Sequence, residues 1–171
     1  MFSRSNRKYV PHALGVFAAA AFALALLPSA ARAATATTTF SVTATVQATC
    51  LISATNLSFG TYTGVVANST STISVTCTNT TPYNVGLDAG TASGATVTTR
   101  KMTGPGGATL SYALDQDSAH TVNWGQTVGT DTEAGTGNGG AQSLTVYGQA
   151  AAGQYVTPGS YSDTITATVT Y

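Results

Sequence analysis

From Thr39 to Val46 the chain reads Thr-Phe-Ser-Val-Thr-Ala-Thr-Val, with an apolar residue at every second position and a hydroxyl residue between. A period of two places Phe40, Val42, Ala44 and Val46 on one side of an extended backbone, the pattern of a strand with one buried face. The sequence ends in the same way. Ile165, Ala167, Val169 and Tyr171 alternate with Thr164, Thr166, Thr168 and Thr170, and are read as a C-terminal core strand. Threonine suits this role because its branched Cβ fits a pleated surface. A long, flat, uncharged strand is an aggregation hazard if its edge stays free, and the first ribbon carries no Lys, Glu or Pro to protect it. It must pair with something. Periodicity does not say whether that partner lies in the same molecule.

Between the ribbons the strand pattern recurs. Leu57–Tyr62 is a short apolar piece, and Ile73–Cys77 alternates with Ile73, Val75 and Cys77 on one face. Tyr83–Leu87 is entered through Thr81-Pro82, and 96–102 predicts a strand with Arg100 and Lys101 outside. The turn 104–107 leads to alternating Leu110, Tyr112 and Leu114 and then a polar stretch, Asp115–Ala119. A short piece around Val122 and Trp124 follows, and Gly135–Gly140 reads as a loop without periodicity. Leu144–Tyr147 restarts the alternation. Charged residues make up only 7% of the chain, too few for the Glu, Lys and Arg that long helices draw on. Seven or eight short strands separated by turn signals predict an all-β protein, an Ig-like Greek-key β-sandwich.

The N-terminus reads as an address. Arg4, Arg7 and Lys8 precede an apolar run from Ala13 to Leu27, and Ala31-Arg32-Ala33 places small residues at −3 and −1 of a cleavage site. That is a secretory signal peptide over 1–33. The apolar run falls short of the roughly 20 residues that span a bilayer, and no further hydrophobic stretch approaches that length, so membrane insertion of the mature chain is not expected. Removing the leader leaves Arg100 and Lys101 against six acids, a mature net charge near −4. A chain with two basic residues has no patch to neutralise several phosphates, which argues against nucleic-acid binding. Cys50 and Cys77 are the only cysteines. An even count in an exported chain predicts a disulfide, which on the chain-entropy argument stabilises by roughly 3.5 kcal/mol.

Catalytic motifs are missing. His120 is the one histidine after the leader, beside Asp115, Asp117 and Ser118, with no G-x-S-x-G elbow to support a triad. It is read as a solvated loop residue. Asp115-x-Asp117 begins like a calcium loop, but position 119 is alanine and the closing glutamate is absent. Asp131 and Glu133 read as a solvated acidic pair. No metal, cofactor or catalytic residue is expected, and the protein is not read as an enzyme.

The order of these features resembles the spore coat protein U domain family, which includes the subunits of archaic chaperone–usher (Csu-type) pili. The resemblance rests on the alternating ribbon ending in Cys50, Leu57-Ser58-Phe59-Gly60, Ile73-Ser74-Val75-Thr76-Cys77, and Gly159–Thr164 running into the last strand. It implies an incomplete sandwich lacking its final strand. A periplasmic chaperone fills the groove first, and at the outer-membrane usher the N-terminal ribbon of the next subunit replaces it. The implied organisation is a donor-strand segment at 34–49, with Phe40, Val42, Ala44 and Val46 entering a neighbour's groove, and a domain at 50–171. The implied partners are identical or related subunits, head to tail, and the implied location is a cell-surface fibre serving adhesion or biofilm formation. The competing expectation is a monomeric secreted binding or coat protein whose N-terminal strand folds in cis.

Overall fold

The computed structural model describes residues 32–171. The expected signal peptide lies outside the described residues except for Arg32 and Ala33. The chain divides into a unit ending at Val42 and a body, Thr43–Tyr171, whose fold is described here.

Eight strands form the body: β1 (Cys50–Ala54), β2 (Ala67–Cys77), β3 (Pro82–Leu87), β4 (Arg100–Thr103), β5 (Thr109–Asp115), β6 (Glu133–Thr136), β7 (Ala141–Ala150) and β8 (Ala167–Thr170). They make two antiparallel sheets, one ordered β1-β2-β7-β5-β4 and the other β6-β3-β8. The inward faces follow the sequence alternation. Ile73, Val75 and Cys77 of β2, Tyr83, Val85 and Leu87 of β3, Tyr112 and Leu114 of β5, and Val146 of β7 share one core. Full burial of each aliphatic side chain contributes about 1.5–3 kcal/mol. Trp124, between β5 and β6, fills the centre and donates its indole N–H to the Val85 carbonyl at 2.8 Å. Cys50 lies opposite Cys77 in the β1–β2 ladder, and the two form the disulfide.

The turn 78–81 fixes the ends of this body. It joins β2 to β3, so Cys77, Pro82 and Cys50 share one end. The ladder Asn84↔Thr170 brings the C-terminus of β8 to the same end, while Leu87↔Ala167 and Ala67↔Ala150 mark the opposite one.

Several expectations are corrected. Residues 39–46 join no sheet. Phe40, Val42 and Val46 are 84–85% exposed, so the ribbon has no buried face in this chain. Arg100, expected outside, is fully buried. Its guanidinium donates to the carbonyls of Asp88 (2.8 Å), Val97 (2.7 Å), Leu87 (3.0 Å) and Trp124 (2.7 Å). Alternation assigns a face, but here unladdered carbonyls demand a side chain with several donors, and arginine has five. The expected loop 135–140 begins inside a strand, β6, where Gly135 opposes Tyr83 and leaves room for its ring. His120 is not solvated: its side chain is 12% exposed and its Nδ1 lies 2.9 Å from Oδ2 of buried Asp115. The last strand is shorter than its pattern, and Tyr171 beyond it is exposed.

Candidate functional site

One edge of β8 pairs with β3, and among the described residues no strand occupies the other. Beside the lead-in to β8 and its first residue, Ala167, lies a groove of about 1160 Å³. Close-packed interiors leave few voids larger than a water molecule, and this groove is far larger than such a void. Its floor is the core itself: Ile73, Leu110, Tyr112, Leu114 and Val146. One wall is the segment Leu57, Phe59 and Tyr62, and the other is the lead-in to β8, from Gln154 through Ile165 to Ala167.

Each wall is positioned by particular contacts. Gly148 of β7 lets the first wall settle on the sheet, since a Cβ there would lie 2.7 Å from a Leu57 methyl and 3.2 Å from the Phe59 ring. The second wall is held at both ends. Near its start, the Gln154 carboxamide accepts from the Ser111 N–H at 2.7 Å and donates to the Ser111 carbonyl at 2.9 Å. It thereby continues the β5 ladder beyond the end of β7. Near its finish, the Asp163 carboxylate accepts from Thr91 N, Thr91 Oγ1 and Thr164 N, each at 2.8 Å, and from the Tyr112 hydroxyl at 2.7 Å. Burial alone would raise the Asp163 pKa, but these bonds outweigh it and hold the carboxyl below its usual range. Burial, reinforced by Asp163, pushes the Tyr112 phenol well above its ordinary value.

Tyr112 therefore spans the floor as a strut. Its ring meets Phe59 edge-on, with centroids 5.9 Å apart, while its hydroxyl holds Asp163 on the opposite wall. The walls also meet at one end of the groove. There the Tyr62 hydroxyl donates to the Ala151 carbonyl and accepts from Gln154 N.

Of the residues singled out from the sequence, Cys50 and Cys77 are joined, Ile165 and Ala167 line the groove, and Val169 packs on the core. Tyr171 does not, and Phe40, Val42, Ala44 and Val46 are exposed. Asp163, Gln154 and Gly148 were not singled out. Asp163 stands inside the quoted Gly159–Thr164 run, and its charge in so uncharged a chain was the available signal. Asp117 organises its own turn, accepting from Thr121 Oγ1, Val122 N and Thr121 N. The Thr121 hydroxyl first, then these backbone donors, lower its pKa.

Comparison with known proteins agrees with this architecture. Residues 36–168 match the Spore Coat Protein U domain. Protein U of Myxococcus xanthus is 37% identical over 176 residues, covering 93% of this chain and 97% of that protein. Among solved structures, similarity extends to a chain of the CsuC–CsuE chaperone–tip adhesion subunit pre-assembly complex from archaic chaperone–usher Csu pili of Acinetobacter baumannii. That likeness has a TM-score of 0.53 at 22% identity and covers 74% of this chain, which spans 40% of the solved one. It is a likeness of fold. On the domain match and the near full-length relative, this chain belongs to the Spore Coat Protein U domain family.

Proposed function

We propose that the protein is a structural subunit of a surface pilus or fibre, assembled by chaperone–usher donor-strand exchange and serving adhesion or biofilm formation. The observation that carries this is an apolar-floored groove beside the lead-in to β8, whose outer edge is unpaired, in a chain whose own alternating ribbon joins no sheet. In this reading residues 1–33 direct export to the periplasm, 34–49 are the donor segment, and 50–171 form the receiving body. Phe40, Val42, Ala44 and Val46 enter the groove of the next copy and complete the sheet beside Ile165, Ala167 and Val169. Burying one Phe and two Val contributes roughly 5–9 kcal/mol before backbone pairing. The contact is heterologous and does not close on itself, so it propagates into a filament. A periplasmic chaperone supplies the strand until the usher exchanges it, a partnership supported by the fold likeness to a chain of a chaperone–subunit complex. No catalytic step is needed anywhere in this scheme.

Unboiled SDS gels of fibres sheared from cells making the protein with its natural neighbours test this, comparing wild type with Val42→Asp. A charge at that position is not tolerated in a dry groove. The expected result is a boiling-sensitive ladder in wild type that is lost in the variant, while the variant monomer is still exported and folded. A single monomer band in both would leave a self-contained secreted sandwich instead.

A further inference from the structure

The donor ribbon is tied closely to its own body. Val46 is the last apolar ribbon residue, and Cys50 is already fixed by the disulfide. Thr49 is pinned as well, its N–H donating to Thr78 Oγ1 at 3.2 Å and its carbonyl accepting from Thr78 N at 3.0 Å. Only Gln47 and Ala48 remain between Val46 and this anchor. At roughly 3.3–3.6 Å per residue, such a tether reaches about 10 Å. A ribbon seated in a neighbour's groove therefore brings the two bodies into contact.

The direction of the ribbon decides which surfaces meet. Antiparallel pairing is the more stable per residue, and against β8 it places Val46 at the Ile165 end of the groove. At that end the loops before β2 and after β7 carry Val65, Val66 and Tyr155, all exposed, with Tyr155 at 89%. These loops are stitched together. Gly153 N donates to the Gly64 carbonyl at 2.9 Å, the Tyr155 ring lies over Gly64, and Tyr62 bridges Ala151 and Gln154. An apolar patch on pinned backbone is preorganised for contact. On the donor side, Leu51 stands exposed immediately after the disulfide-bonded Cys50.

We infer that the Val65–Val66–Tyr155 patch is the docking surface for the disulfide end of a second copy of this chain, with Leu51 as the apolar contact. This rests on the strand exchange proposed above. The surface continues the groove, since Tyr155 belongs to both and its ring lies over Gly64, which also lines the groove.

The test uses fibres of the full chain carrying paired cysteines, with Cys50–Cys77 confirmed by mass. Under mild oxidation, Leu51→Cys with Tyr155→Cys gives a ladder that survives boiling and collapses with reductant. Leu51→Cys with Tyr171→Cys, at the opposite end of β8, gives no more than background. The reverse pattern overturns the inference, because the bodies would then meet at the other end. Absence of both cross-links while the boiling-sensitive ladder persists also overturns it and leaves strand exchange standing. No ladder even in unboiled wild type removes both. A cysteine-free measurement guards against misfolded variants: Val65→Ser with Val66→Ser, neither of which lines the groove, lowers the temperature at which the unboiled ladder collapses, with the affinity for a free Thr37–Gln47 peptide unchanged. An unchanged collapse temperature overturns the docking surface.

Discussion

Arg100 and Trp124 are joined end to end in the core: the guanidinium donates to the Trp124 carbonyl at 2.7 Å, and the Trp124 indole donates to Val85 at 2.8 Å. Through this chain of bonds the start of β4 is tied to β3 across the sandwich. Burial pulls the Arg100 pKa down, and Tyr112, Asp88, Asp115 and Asp131 oppose that pull. Arg100→Met is expected to leave four carbonyls without this donor and to destabilise the body by about 3–5 kcal/mol, read from urea unfolding. Arg100→Lys recovers only part, because a single ammonium does not reach acceptors spread over three segments.

Tyr112→Phe keeps the ring against Phe59 and removes the bond to Asp163. Since that carboxylate is partly solvated, the expected loss is about 1–2 kcal/mol. The groove changes more than the stability does. With its strut cut, uptake of a Thr37–Gln47 peptide slows several-fold, measured by fluorescence of a labelled peptide.

The same pair predicts a limb at each end of the pH profile. The Asp163 pKa is depressed on folding, so its contribution is complete above the unfolded value of about 3.9 and disappears as pH falls through the folded one. The Tyr112 pKa is raised, so its contribution is complete below the unfolded value of about 10 and is lost as pH rises beyond it. Unfolding midpoints against pH should show Asp163→Asn flattening the acid limb and Tyr112→Phe flattening the alkaline one.

Gly148→Val is expected to push Leu57 and Phe59 into the groove. Peptide affinity should fall about tenfold, equivalent to 1.4 kcal/mol, with a smaller change in the unfolding midpoint. Equal losses in both would make Gly148 a packing position only.

Replacing Cys50 and Cys77 together with serine removes roughly 3.5 kcal/mol and frees the anchor of β1. Wild type kept under reductant after unfolding should match the double variant in a urea titration.

Much of this architecture was legible because alternation is a local property. Ile73–Cys77, Tyr83–Leu87 and Leu110–Leu114 each declare their buried face within a few residues, and the structure buries those faces. The exposed ribbon was legible as an edge lacking protection. The remainder depends on distance along the chain. Tyr112 and Asp163 are separated by 51 residues and Ser111 and Gln154 by 43, and no window of sequence relates them. Arg100 misled because a cation is assigned to solvent unless its acceptors are visible, and its acceptors lie on three separate segments. Glu133–Thr136 misled because glycine carries no periodic signal, although Gly135 is what the Tyr83 ring requires.

The floor of the groove and the core of the sandwich are the same side chains, among them Ile73, Leu114 and Val146. In a fibre built on this groove, the ribbon of one subunit would rest directly on the layer of side chains that keeps the next one folded. Damage to that layer would then weaken a junction and a subunit together, so the filament could be no more durable than the fold of a single link.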